Sequence, residues 1–336
     1  MPGLRRSLEA ARDVAVDAVT WRPGRPTREN TYRVARELHG RTSGASSRAG
    51  LTVITALHPS AAVPRRNDLP GDWGEALDRL EMEGVAFVPP VLDADAVARI
   101  QEFARTAPAV LKSSDGASRR GTFVDRDGAT VAVHLVEQFV LDQPDIQHLI
   151  ASEEVRGFAG ARFGAQPVIH PPSLYWTCAG VSVTEAERRR GARQFHWDYD
   201  GLAGVRVHLY LTDVDEGAAP MSYVAGSHRS GTLTSRQLRR ADMGIPDEDL
   251  WAALPRSSLR TLTGPAGTMF ISDSQGLHSG TDALTSDRLF LVMPVQATGF
   301  GGYQLQARAV RPRDPDFTQR LREGRPDLMF FRERED

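Results

Sequence analysis

The chain has 336 residues, with 41 lysines and arginines against 43 aspartates and glutamates and a formal net charge of −2, so it carries no overall positive field for nucleic acid or an anionic membrane surface. No apolar run approaches the ~20 residues needed to cross a bilayer, and the opening Met1-Pro2-Gly3-Leu4-Arg5-Arg6 has no signal-peptide apolar core. Cys178 is the only cysteine, which excludes an intrachain disulfide framework and a thiolate-closed zinc site; the expectation is a cytoplasmic enzyme acting on a small molecule, without nucleic-acid or membrane partners, as a monomer or homodimer.

Residues 4–38 show helical periodicity interrupted at Pro23 and Pro26. Arg41 to Gly50 reads as a flexible connection rich in Ser, Gly and Ala, and Leu51 to Ala56 as one extra strand. Residues 1–70 are thus expected to be an N-terminal helical extension and linker. Leu80 to Val88 reads as a helix end, a glycine and a short strand, and Asp93 as the N-cap of a helix through Arg105. Lys112 is the sole lysine, a bias that reads as base composition rather than function. Val205 to Leu211 alternates strictly, as a half-buried strand does; a polar turn, Thr212 to Pro220, and the segment Met221 to His228 follow. Thr234 to Trp251 is polar and helical with a break at Pro246, so residues 234–260 are expected to be an insertion, either a lid over a site or a plain surface helix. Gly267 to Asp273 and Arg288 to Val295 read as strands around a turn at Ser274 to Gly280. The main domain is placed at 71–310 and a charged tail at 311–336, with Met329-Phe330-Phe331 packing on the body or on a second subunit.

Chemistry enters at Phe195-His196-Trp197-Asp198. In an extended segment successive side chains point to opposite faces, so His196 and Asp198 project together while Trp197 points away. One imidazole and one carboxylate can grip a cation, and a distant histidine such as His278 would complete a two-histidine, one-carboxylate face that leaves positions open on a non-haem Fe(II). Arg288 follows ten residues after His278; a guanidinium is a rigid fork of donors matched to a carboxylate. On the residues alone, His-x-Asp is also compatible with a hydrogen-bonded histidine and a turn aspartate, and Arg288 with an ordinary surface arginine.

The run from His196 to His228, with Tyr210-Leu211-Thr212-Asp213-Val214-Asp215 and its Ala225-Gly226-Ser227-His228 close, resembles the phytanoyl-CoA dioxygenase-like branch of Fe(II)/2-oxoglutarate-dependent oxygenases. So do Gly267 to Val295 and Leu80 to Val88, and the resemblance covers roughly residues 75–300. Ala219 stands where the family usually has glycine and Ala225 where proline is common, which changes loop stiffness without touching a ligand. The resemblance implies a mainly β fold with flanking helices, a double-stranded β-helix (jelly roll, cupin-like). It assigns His196, Asp198 and His278 to Fe(II) and Arg288 to the distal carboxylate of 2-oxoglutarate, with Ser279 a further candidate for that carboxylate. It implies 2-oxoglutarate and O2 as cosubstrates and hydroxylation of a small-molecule C–H bond with release of succinate and CO2; desaturation, cyclisation and epimerisation are open to the same chemistry.

Two other classes stay open: a non-catalytic cupin-like binding protein, and a zinc-dependent hydrolase using the same three ligands with a bound water. Arg206, His208 and Tyr210 share one strand face, which either lines the cavity or is solvated. His228 reads as structural, His134 and His170 as ordinary. Arg188, Arg189, Arg190 and Arg193, interleaved with Glu185 and Glu187, read as a solvated loop.

Overall fold

Three helices lead the chain: α1 (Pro2–Thr20), α2 (Glu29–Arg41) and α3 (Ala45–Leu57). They belong to a computed structural model that describes residues 2–20, 27–57, 63–181, 193–229, 231–241, 244–302 and 306–335. Helix α3 corrects the expected flexible connection and extra strand between Arg41 and Ala56. The β-branched run Thr52-Val53-Ile54-Thr55 favours a strand locally. Leu51 and Ile54, one helical turn apart, instead pack together against Leu202 and Phe300, and this tertiary contact overrides the propensity.

Helix α4 (Gly71–Glu83) buries Trp73, Ala76, Leu77 and Leu80, an i, i+3, i+4, i+7 stripe. It stops at Gly84, whose φ of 86° is left-handed and where a Cβ would lie 2.4 Å from the Tyr223 hydroxyl, so only glycine fits. Strand β1 (Val85–Val88) follows, then α5 (Ala94–Thr106), capped as expected by the Asp93 carboxylate, which accepts from the Ala96 N–H at 2.7 Å. Next come β2 (Ala109–Ser113), β3 (Ser118–Gly121), β4 (Thr130–Leu135), α6 (Glu137–Leu141), α7 (Pro144–Ile150), α8 (Glu153–Phe163), β5 (Pro167–Ile169) and β6 (Ser173–Thr177). The second half runs β7 (Gly204–Tyr210), β8 (Met221–Val224), α9 (Ser235–Ala241), α10 (Asp247–Ala253), β9 (Leu259–Leu262), β10 (Met269–Asp273), β11 (His278–Gly280) and β12 (Arg288–Ala297). The tail holds β13 (Arg308–Val310), α11 (Pro315–Arg322) and β14 (Phe331–Glu333); Leu328, Phe330 and Phe331 bury in the main core, so the tail packs on the body.

The order β1-β10-β7-β12-β6-β4-β2-β3, with β5 beside β12, makes a nine-stranded antiparallel sheet, and β11-β8-β9 a three-stranded one. Helices α4, α5 and α8 cover one face of the large sheet, against Leu111, Val133, Trp176, Val207 and Leu291. The small sheet covers part of the other face, where Met221, Tyr223 and Leu262 meet Tyr210, Phe270 and Phe290. The expected jelly roll is therefore met only in part. Large antiparallel strands are present, but among the described residues the two sheets do not close into a barrel, and helices form a full layer. The small sheet is continued by isolated bridges such as His196 to His278 and Val214 to Gly264 rather than by further strands.

Strand β7 sets the polarity of the interior. Val205, Val207 and Leu209 face the helices, each worth roughly 1.5–3 kcal/mol when fully buried, while Arg206, His208 and Tyr210 face the small sheet. A one-residue slip would exchange the two sets, so hydrophobic burial fixes where Arg206 and His208 point. The face left open by the sequence is thus an interior polar face, not a solvated one. Tyr210 joins the two sheets directly: its hydroxyl donates to the Leu262 carbonyl at 2.8 Å and accepts from the Met221 N–H at 2.9 Å.

Candidate functional site

The segment Phe195 to Tyr199 is extended, and its alternation is complete. Phe195, Trp197 and Tyr199 enter an aromatic and aliphatic cluster with Leu238, Ile245 and Leu250. His39 on α2 lies 4.7 Å from the Trp197 ring, and Tyr32 lies 5.7 Å from the Tyr199 ring. Trp197 also donates from Nε1 to the Leu238 carbonyl at 2.7 Å. No described residue of 234–260 lines the cavity; α9 and α10 brace the back of this segment instead. On the opposite side Asp198 meets His278 and Arg206, and His196 lines the cavity. The backbones of His196 and His278 exchange hydrogen bonds at 3.0 and 2.9 Å, and the Asp198 N–H donates to the Ser274 carbonyl at 2.8 Å.

These bonds bring three donor groups together, with ligand atoms of His196, Asp198 and His278 all within 4.8 Å of one another. Asp198 Oδ2 is 3.0 Å from His278 Nε2 and 3.8 Å from His196 Nε2. Two donors bound at right angles to one ion at ~2.1 Å stand about 3 Å apart, so the set fits a single metal. Each Nδ1 is already engaged, His196 with the Gln194 carbonyl at 2.8 Å and His278 with the Gly276 carbonyl at 3.0 Å. Those carbonyls accept the Nδ1 proton, fix the tautomer and leave the Nε2 lone pairs facing Asp198. Asp198 Oδ2 is buried without an aligned hydrogen bond, although charged neighbours stand close to it, so it keeps a lone pair that a metal could take. The other such group among the described residues, His148 with Asp314 and Asp316, is largely on the surface, and Asp314 there caps α11 by accepting from the Phe317 N–H.

The sequence reading placed Arg206 on a strand face, cavity-lining or solvated, and missed its role beside Asp198. Its Nη1 lies 2.6 Å from Asp198 Oδ2, while Nε and Nη2 grip Asp200 at 2.9 and 3.1 Å. Burial pushes the Asp198 carboxyl up, but the Arg206 guanidinium beside it more than offsets this and holds the group well below the usual carboxylate range. Burial pulls His196 down to about 4, so its imidazole is neutral and able to ligate at neutral pH. The signal was present: His-Trp-Asp-Tyr-Asp puts Asp198 and Asp200 on one face, and two interior carboxylates require a cation.

The ligand group opens into a cavity of about 530 Å³. Arg288, 4% exposed, projects into it from β12. Its Nη1 donates to the Ala219 carbonyl, Nη2 donates to Thr177 Oγ1 at 3.1 Å, and its guanidinium lies 4.5 Å from the Phe290 ring. Arg288 Nε is buried without a partner, an unmet donor in the place where the sequence called for a carboxylate. Ser279, opposite Ser222 in the β11–β8 pair, lines the same cavity. His208 also lines it, stacked on Phe270 and Phe290 and bonded to Ser272 Oγ at 2.9 Å. His134, read as ordinary, is in the cavity wall as well, stacked on Tyr175 at 5.1 Å. His170 packs away from the cavity on Phe330, and His228 touches the Glu81 carbonyl as a structural residue would. Arg193 is not solvated: it pairs with Asp282 at 2.6 Å beside the cavity. Arg188, Arg189, Arg190, Glu185 and Glu187 lie outside the described residues.

No protein-family model matches this sequence, and no curated protein matches it. In structure the chain is similar to EctD from S. alaskensis with 2-oxoglutarate and 5-hydroxyectoine, at 16% identity and a TM-score of 0.52 over 78% of this chain and 94% of that one. The apoform of the same EctD gives a TM-score of 0.51 at 16% identity over 76% and 87%. The epimerase SnoN in complex with Fe3+, alpha ketoglutarate and nogalamycin RO aligns at 17% identity over 67% and 83%, with a TM-score of 0.47. At 16% identity the likeness to EctD is one of fold.

Proposed function

We propose that this protein is an Fe(II)- and 2-oxoglutarate-dependent oxygenase that hydroxylates a C–H bond of a small molecule and releases succinate and CO2. The observation that carries the reading is the convergence of His196 Nε2, His278 Nε2 and the Asp198 carboxylate beside a cavity that also receives Arg288, whose Nε has no partner. Bound Fe(II) with 2-oxoglutarate would supply the O2-dependent oxidising chemistry.

Each residue then has a physical task. His196 and His278 offer Nε2 lone pairs because backbone carbonyls hold their Nδ1 protons. Asp198 stays ionised and aimed because Arg206 lies against it. Arg288 receives the far carboxylate of 2-oxoglutarate, with Thr177 and the Ala219 carbonyl fixing the fork. Phe290, Val292 and Met221 line the space between with apolar surface, which excludes water and strengthens the charge pairing. The buried, unpartnered Arg288 Nε favours this reading over a zinc hydrolase, whose metal-bound water does not of itself call for a carboxylate receptor.

The test is to add Fe(II) and 2-oxoglutarate anaerobically and follow the metal-to-ligand charge-transfer absorption, then admit O2 and measure succinate. The band, and succinate that requires Fe(II), 2-oxoglutarate and O2 together, are expected; 2-oxoglutarate that neither perturbs the metal nor is consumed would overturn the reading.

A further inference from the structure

The site described above occupies only part of the cavity. Its outer wall is built by β2, β3, β4 and β6, and the strand register places Lys112, Ala132, Thr177 and Arg288 side by side across four strands. Neighbouring strands are about 4.8 Å apart, so the backbones of Lys112 and Arg288 stand three spacings, roughly 14 Å, from each other. A five-carbon diacid built from ~1.5 Å bonds spans only about 5 Å between its carboxylate carbons. Held between Arg288 and the candidate metal ligands, 2-oxoglutarate would lie at the inner end, with Thr177 and Ala132 between Arg288 and Lys112 in the strand register.

The charges at the two ends differ. Arg206 is matched by Asp198 and Asp200, and Arg193 by Asp282. Lys112 lines the cavity and is exposed at its rim, and among the described residues no carboxylate forms an ion pair with it. Among those residues no aspartate or glutamate lines the cavity. A break in the β2–β4 register falls between Lys112 and Ser113, the kind of irregularity that re-aims a side chain beside a site. Ser113 and Ser118 line the cavity next to it, across the β2–β3 turn. His134 nearby is pulled down to about 4 by burial and then by Lys112, so it is neutral there at neutral pH. A cation without a counter-charge at the mouth of a cavity with apolar walls attracts and orients anions.

We propose that the substrate is a small organic anion whose carboxylate or phosphate group is received at the rim by Lys112 with the hydroxyls of Ser113 and Ser118, its apolar body lying along Tyr175, Phe290 and Val292 toward His196 and His278. This rests on the oxygenase reading above, and it makes Lys112 a specificity-determining residue rather than a cosubstrate ligand.

The experiment uses the full chain loaded anaerobically with Fe(II) and 2-oxoglutarate, with 3-phenylpropionate, phenethyl phosphate and neutral 3-phenylpropanamide as probes in ligand-observed NMR. At least one anion is expected to bind tenfold or more tighter than the amide. The preference should vanish in Lys112→Met and return in part in Lys112→Arg, with the 2-oxoglutarate absorption band intact in both. The relative strength of the two anions identifies the group. Equal or absent binding of anions and amide, a preference that persists in Lys112→Met, or loss of the 2-oxoglutarate band in that variant would overturn the proposal. Failure of the band in the unmutated protein is a separate result: it removes the oxygenase reading, and this inference with it.

Discussion

The front and the back of the five-residue segment Phe195 to Tyr199 are only a side chain apart, yet they are built differently. Behind it, Trp197 and Tyr199 sit among His39, Tyr32 and Leu238 in packing that depends on volume. In front, His196 and Asp198 are held by backbone carbonyls and by Arg206 in an arrangement that depends on which atom points where. Packing tolerates a change that conserves volume; a ligand set does not tolerate loss of a donor. The back secures the fold, and the front spends that stability on holding a carboxylate, two imidazoles and a guanidinium in one fixed arrangement.

The sharpest way to break this distinction is to remove the front donors. His196→Ala, Asp198→Ala and His278→Ala are each expected to abolish stoichiometric iron binding and succinate formation while leaving a folded chain, checked by iron content and circular dichroism. Wild-type iron affinity and turnover in any of them would remove that residue from the site. Arg288→Ala is expected to weaken 2-oxoglutarate binding by about 2–5 kcal/mol, as for truncating one partner of a buried hydrogen-bonded charge pair, and Arg288→Lys by less, with iron affinity retained. Anaerobic titration reads this directly; an unchanged Kd in Arg288→Ala means another group holds the cosubstrate.

A back-side titration comes next. Burial pulls His39 from 6.5 down to about 4, so the unfolded chain binds its proton at a higher pH than the folded one. The stability this supplies is complete above pH 6.5 and is lost as the pH falls toward 4, up to roughly 3 kcal/mol. Urea melts of the unmutated protein and of His39→Asn at pH 7 and pH 4.5 should show a shallower acid loss in the variant. Identical losses would mean that the His39 imidazole is not what titrates.

Arg206→Gln probes the front at one remove and should lower iron affinity by roughly 10–100-fold, the usual cost of losing a group that orients a ligand. Trp197→Phe keeps most of the back-side volume and removes one hydrogen bond, so it should cost only about 1 kcal/mol of stability and change iron affinity less than Arg206→Gln does. Equal losses of iron affinity in these two variants would erase the difference between front and back.

Local periodicity determined much of this protein from sequence alone. The alternation around Trp197 sets His196 and Asp198 on one side, the α4 stripe and Gly84 mark a helix and its stop, and Asp93 caps α5, because each depends on residues within a turn or a few strand positions. The resemblance of its motifs also pointed to His278 and Arg288, which the structure brings to one cavity, and to a fold of large antiparallel strands, which is met in part. Tertiary structure alone decided the rest. Residues 51–56 are helical because Ile54 meets Leu202 and Phe300. Arg206 is an interior partner of Asp198 because three apolar neighbours on β7 are drawn to the helices. Lys112 and His134 belong to the cavity because β2 and β4 pair into the sheet that β12 crosses far along the chain. Such contacts join residues separated by tens to hundreds of positions, and no local pattern encodes them: they exist only once burial has chosen which faces meet.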